Sequence, residues 1–387
     1  MKLYAKPKRG AASFCVPRTA LRTLIAREAC VYEVIAYLIL ARFTDETGRY
    51  SSASASAIRR YSGSNQAKGG PIDRALDQLL TITPKGQPKL PILWRREDWL
   101  KHHADELPDG PTERGIIRYV LPDFDEEIED RVWFGAGLVD GYGSFQYPLR
   151  RLKQCGNIAS RLLLAQYMGL DIGAWGGVNP HADYALWQSY SQACKPVDLL
   201  DGVTLIRWKR QSLVASQSKA IQGAGAQIEA YWQAAKALEA AGFLYEVVVL
   251  LDRAAVEAVF KSGENYFKPH DDAEPVCELD MRGYHGYKPK GEQGVGGFTA
   301  KTAGDLGHGV ATDGEFNGTY AAFLAPGMTG MIIGIYRLRF RPVNPHNRNV
   351  STSWWRINYG NREQLRLIQH VRKRYKLPPL NVDHGSS

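Results

Sequence analysis

Cysteine is scarce and unpatterned in this 387-residue chain: Cys15, Cys30, Cys155, Cys194 and Cys277 are scattered, with no C-x-x-C pair and no zinc-like spacing. An odd, unframed set excludes a disulfide scaffold and points to free thiols in a reducing compartment. No stretch approaches the ~20 apolar residues needed to cross a bilayer. The basic start, Met1 to Gly10, lacks the apolar core of a signal peptide. These absences predict a soluble cytoplasmic protein without a membrane partner. Catalytic signatures are missing as well: there is no P-loop, no H-E-x-x-H and no G-x-S-x-G. His102-His103 is not a metal-binding His-x-His, and Gly294-Val295-Gly296-Gly297 lacks the strand-then-helix setting of a nucleotide-binding turn. The polar clusters His308, Asp313, Glu315 and His270, Asp271, Asp272 would suit a metal or acid–base work, but hydrogen-bonded loops explain them equally well. A protein with no enzymatic activity, cofactor or metal is the expectation.

Acidic residues are almost missing from one end. Met331 to Ser387 holds 11 Lys and Arg against 2 acids, while the other 330 residues hold 38 of each, so the net charge of +9 sits in the last 57 positions. Aromatics are interleaved with this charge: Arg337, Arg339 and Arg341 around Phe340, Trp354-Trp355-Arg356, and Arg372-Lys373-Arg374-Tyr375. Guanidinium groups pair with phosphate oxygens and nearby rings stack on bases, so double-stranded DNA is the expected partner. An acidic protein is the alternative partner, and a homodimer is left open.

Hydrophobic residues make up 44% of the chain and charged ones 23%, which allows two or three ordinary cores. Charge and pattern divide it into five parts within an α+β class. Residues 1–29 form a basic arm. Residues 30–100 form a compact module. Residues 101–147 form an acidic connector; the stretch 97–130 carries 12 acids against three basic residues. Residues 148–260 form a second module with an insertion at 170–206, and 261–387 a glycine-rich and basic C-terminal module.

In the first module Val31 to Phe43 is apolar nearly all round, which predicts a buried helix. Arg49-Tyr50-Ser51 is a short extended piece. Ala53 to Tyr61 is a helix with Ala57 and Ile58 inward and Arg59 and Arg60 outward. After the loop Ser62 to Gly70, apolar residues at 72, 75, 76, 79 and 80 give a helix that begins at Pro71. Thr83 to Trp94, with Lys85-Gly86 between extended halves, reads as a hairpin. The stretch Gly48-Arg49-Tyr50, Ala57-Ile58-Arg59-Arg60-Tyr61, Asp73-Arg74-Ala75-Leu76-Asp77-Gln78-Leu79 resembles the bacterial winged helix-turn-helix superfamily of transcriptional regulators and plasmid replication initiators. The resemblance covers about 65 residues. It implies that the helix from Pro71 enters a major groove while the wing touches the backbone. Arg59, Arg60, Asn65, Gln66, Lys68, Arg74, Lys85 and Lys89 would then make the contacts.

In the second module Pro148 to Met168 and Ala226 to Ala241 read as helices, the latter stopping at Gly242 before the strand Phe243 to Leu251. The run Ala237-Leu238-Glu239-Ala240-Ala241-Gly242-Phe243-Leu244 resembles the end of a recognition helix and a first wing strand, implying tandem winged helices with Gln233 and Lys236 at DNA. An ordinary helix followed by a core strand fits as well. Arg207, Lys209 and Arg210 close the insertion with a further basic cluster. In the C-terminal module Met331 to Phe340 reads as a strand with Arg337 and Arg339 on an open face, followed by a basic helix from Asn361 to Tyr375. Arg337, Arg339, Arg341, Arg356, Arg366, Arg372, Lys373 and Arg374 are its expected phosphate contacts. The whole reads as a sequence-specific duplex-DNA-binding regulator or replication initiator of a mobile element. The alternative is a protein-interaction module that inhibits or recruits host machinery.

Overall fold

The computed structural model describes residues 13–64, 69–87, 90–103, 116–127, 130–142, 145–171, 175–192, 197–198, 204–215, 225–252, 256–261, 264–269, 275–279, 319–324, 330–342 and Lys373. The architecture is α+β, with eight helices and antiparallel sheets among those residues.

The chain enters through β1 (Ser13–Val16) and α1 (Arg18–Ala26). This stretch is not a free arm: Phe14, Val16, Leu21 and Leu24 are buried, and β1 pairs with β5 (Val132–Gly135). Glu126, from the acidic stretch, accepts the Arg18 and Thr19 N–H groups at 2.7 Å each and so satisfies the start of α1. The connector is therefore partly structural, because its carboxylate answers the positive end of a helix.

α2 (Val31–Arg42) fills the centre. Every residue from Val34 to Arg42 is buried, as its all-round apolar character requires. Glu33 accepts the Cys30 N–H at 2.6 Å, and Asn157 accepts the Val31 N–H at 2.9 Å, so its first turn is capped from within and from a distant helix. β2 (Tyr50–Ser51) follows. α3 (Ala55–Ser62) is capped by Ser54, whose Oγ accepts the Ala57 N–H at 3.1 Å, and it ends at left-handed Gly63. α4 (Pro71–Leu79) starts with proline at its first position and buries Ile72, Ala75, Leu76 and Leu79 against α2. β3 (Trp94–Arg95), α5 (Arg96–Leu100) and β4 (Tyr119–Val120) complete a three-stranded sheet of order β2-β4-β3.

Among the described residues, Thr83 to Trp94 do not form the expected hairpin strands. They hold a turn at Pro84–Gln87, a bond from the Leu90 N–H to the Gln87 carbonyl and one from the Ile92 N–H to the Ile82 carbonyl. The strands that pair are β3 and β4, far apart in the chain, because Tyr50, Trp99, Ile117 and Val120 must bury one another.

α6 (Gly137–Asp140), β6 (Gly141–Tyr142) and β7 (Phe145–Gln146) lead to α7 (Leu149–Met168), which breaks its helical path at Gly156. β8 (Leu170–Asp171) and β9 (Gly177–Val178) pair with each other. β10 (Trp187–Gln192), β11 (Val197–Asp198), β12 (Thr204–Ala215), β13 (Leu244–Asp252), β16 (Pro275–Leu279), β17 (Thr319–Leu324) and β18 (Gly330–Leu338) form a seven-stranded sheet, with α8 (Gly225–Ala240) before β13. Its order runs β11-β12-β10-β18-β13-β16, with β17 also on β12. β14 (Val256–Lys261) and β15 (Glu264–Pro269) make a separate hairpin.

This sheet takes the place of the second winged helix. β13 lies between β18 and β16, and the segment read as an insertion supplies β10 and β11 to the same sheet. The reason is hydrophobic: β13 and β18 are apolar on both faces. Val247, Val249, Ile333 and Ile335 pack with Trp175 and Trp187, while Leu244, Tyr336 and Leu338 join the core that includes α7 and α8. A strand buried on both faces cannot serve as an exposed wing. α7 packs on α1, α2 and α8, so one core joins the first module to the sheet. Among the described residues no helix is long and apolar enough to cross a membrane.

Candidate nucleic-acid interface

α4 and the β3–β4 strands present one polar surface. α4 turns Arg74, Asp77 and Gln78 to solvent and leaves Asp73 half-buried. Each acid has an arginine. Arg59 of α3 donates one Nη2 to both Asp73 carboxylate oxygens at 2.8 and 2.9 Å, and the Gly69 N–H donates to the same carboxylate at 2.6 Å. Desolvation pushes the Asp73 carboxyl up, but the Arg59 and Gly69 hydrogen bonds with Arg59's charge outweigh it and hold the group below its usual value. Arg95 of β3 reaches Asp77 at 3.0 Å, a pair whose side chains are 53% and 66% exposed.

Beyond the pairs lie exposed Arg96 and Arg118, which line a shallow recess of about 320 Å³ together with Arg95, Ile116, Tyr119 and one acid, Glu97. Ile116 is 66% exposed at the rim. Tyr119 ties the recess to α4. Burial pushes its phenol up, Arg95 and Arg118 pull the other way, and Asp77 and Asp73 add to the rise. A base of packed rings holds this surface in place: Trp99 stacks on His103 at 4.0 Å and meets Trp94 edge-on at 5.6 Å. His102-His103 thus belongs to an aromatic cluster.

The residues expected at DNA separate into groups. Arg74 and Lys85 are exposed, and Arg60 is exposed on the side of α3 that meets α7. Arg59 is committed to Asp73. Gln233 donates to Glu229 at 2.6 Å, and Lys236 pairs with Glu239 at 2.9 Å while lying over the Trp232 ring, so both are held on α8. Arg207, Lys209 and Arg210 lie in β12, paired on one side with β10 and on the other with β17.

Arg337 requires correction: it is 2% exposed, buried in β18 rather than on an open face. Ile333, Ile335 and Arg337 are spaced two apart and so share one face of the strand, and the packing that buries the two isoleucines buries Arg337 with them. Arg339 and Arg341 are exposed, and Arg341 contacts the Tyr245 hydroxyl. Lys373 is exposed. Asn65, Gln66, Lys68, Lys89, Arg356, Arg366, Arg372 and Arg374 lie outside the described residues, as do the His308 and His270 clusters. Among the described residues no group of three or more His, Cys, Asp or Glu side chains could hold a metal ion.

Sequence reasoning missed Arg95, Arg96 and Arg118. The dipeptide Arg95-Arg96 was visible, but it falls just past the stretch read as the wing, and nothing in the chain announces that Arg118 returns beside it. Comparisons of the chain with protein-family models, with curated proteins and with solved structures returned no match.

Proposed function

We propose that this chain binds double-stranded DNA with sequence preference, using residues 31–120 as a winged helix-turn-helix. α4 is the helix that enters the major groove, and β3 and β4 are the wing strands on the backbone. The observation that carries this reading is the joint surface of α4 and the wing, in which both helix acids are neutralised by arginines of neighbouring elements. Among the described residues this leaves exposed Arg74 and Gln78 as the readers of base edges, and Arg96 and Arg118 as phosphate contacts. The order α2-β2-α3-α4-β3-β4 with sheet order β2-β4-β3 supports it. The biological role is a transcriptional regulator or a replication initiator of a mobile element. A palindromic promoter site identifies the first, and direct repeats at an origin identify the second.

The test is fluorescence anisotropy of the full chain on random duplex, single-stranded DNA and RNA over a salt series, followed by selection of a preferred duplex. Steep salt-dependent duplex binding is expected. Replacing Arg74 with alanine should then cost about 1–3 kcal/mol on the selected site and little on random duplex. No duplex binding at low salt overturns the reading and leaves a protein partner for the same surface.

A further inference from the structure

A second basic surface lies where α3 meets α7, and the α4–wing reading does not use it. Arg60 and Arg150 are exposed, and Lys153 is half-buried beside them. Their framework is aromatic. The Arg60 guanidinium lies 5.1 Å from the Tyr61 ring and the Arg150 guanidinium 4.4 Å from the Tyr147 ring, and the two rings meet edge-on at 5.3 Å. The cluster is fixed to the end of α3: Arg150 donates Nη2 to the Arg60 carbonyl at 3.0 Å and Lys153 donates to the Gly63 carbonyl at 3.1 Å. Gly63 makes this approach possible. It holds φ +65°, and a Cβ there would lie 2.6 Å from the Arg150 stem.

Two features mark the cluster as built for more than capping a helix. Tyr147 holds φ +50°, a left-handed conformation that costs a tyrosine of order 1–3 kcal/mol, and it places the ring under Arg150. The charge is also uncompensated: no described carboxylate pairs with Arg60, Arg150 or Lys153. Burial first, and the like charge of Arg150 second, hold the Lys153 ammonium below its usual value. Crowded cations seated on rings, each with donors to spare, suit a chain of phosphodiesters.

We propose that Arg60, Arg150 and Lys153, seated on Tyr61 and Tyr147, form a second contact for the phosphodiester backbone of a nucleic acid, at the seam of α3 and α7. The inference rests on the reading that the chain binds nucleic acid, but not on α4 being the helix that reads bases. The three cations extend the footprint past the helix-turn-helix onto α7, so a strand held here adds affinity without sequence choice.

Four full-length variants test it on random-sequence duplex across 50–200 mM salt: Arg60→Gln, the double variant Arg60→Gln/Arg150→Gln, the α4–wing variant Arg74→Ala/Arg96→Ala/Arg118→Ala, and that α4–wing variant with Arg60→Gln added. Each lost phosphate contact should reduce the salt slope by about 0.9, so the double variant should lose about tenfold less affinity than the wild type across that range. Arg60→Gln removes an exposed side chain that bonds no main-chain group among the described residues. It serves as the folded control, with an unchanged melting temperature and a slope lower by about 0.9. Wild-type slopes in both α3–α7 variants, while the α4–wing variant is weakened, would sink this inference and leave the groove reading standing. A preserved slope in the α4–wing variant, lowered on adding Arg60→Gln, would uphold the α3–α7 contact and overturn the groove reading. A wild-type chain that binds no duplex overturns both.

Discussion

Asp77→Asn isolates the electrostatics of the proposed groove face with little disturbance to the fold. Asp77 meets Arg95 at 3.0 Å, and the two side chains are 53% and 66% exposed. A pair that open to water is worth at most about 1 kcal/mol, and Asn has a helix propensity close to that of Asp, so global stability should change by less than about 1 kcal/mol. Binding should change in the opposite sense. The substitution removes a negative charge from the face that approaches phosphates and releases Arg95 to join Arg96 and Arg118. One additional phosphate contact steepens the salt slope by about 0.9, so between 50 and 200 mM the variant should lose about 3.5-fold more affinity than the wild type. At the low-salt end it should bind random duplex more tightly. Urea unfolding followed by circular dichroism checks the stability, and anisotropy titrations at four or more salt concentrations give the slope. A variant of unchanged stability that binds duplex more weakly, or with the wild-type slope, would show that Asp77 and Arg95 do not face DNA.

Two further outcomes concern the fold. Asp73 has a carboxyl held below its usual value in the folded chain, so its contribution to stability is fully present above the unfolded value near 3.8 and is lost as pH falls through the lower folded value. Asp73→Asn should therefore lower stability at pH 7 and flatten the decline below about pH 4, read from urea midpoints between pH 2 and 7; a parallel acid limb would contradict the Arg59–Asp73 assignment. Leu38 is fully buried in α2, and Leu38→Ala should cost about 2–5 kcal/mol, with a cost under 1 kcal/mol arguing against a central α2.

How much of this could be read along the chain depended on the range of the interaction. Local signals were legible. The apolar run of α2 gave a buried helix, Ser54 and Gly63 bracket α3, Pro71 starts α4, and Gly242, at φ +81°, follows α8 as its position in the pattern required. The strand at 244–252 was legible because Val247, Val248 and Val249 are β-branched and consecutive. Its partners, β16 and β18, were not, since periodicity along one strand carries no information about which distant strands pair with it.

The sequence by itself determined the helices of the first module, the α+β character, and the concentration of positive charge in the last 57 residues. Helix caps, turns and hydrophobic periods act over three or four residues and are written in order along the chain. The tertiary structure alone decided which charges remain available. It placed Arg95 on Asp77 and Arg59 on Asp73, sank Arg337 into a sheet covered on both faces, and gathered Arg60, Arg150 and Lys153 at one seam. A guanidinium bound to a carboxylate and one facing water look the same in a sequence, and only the packing that closes long loops assigns each its neighbour.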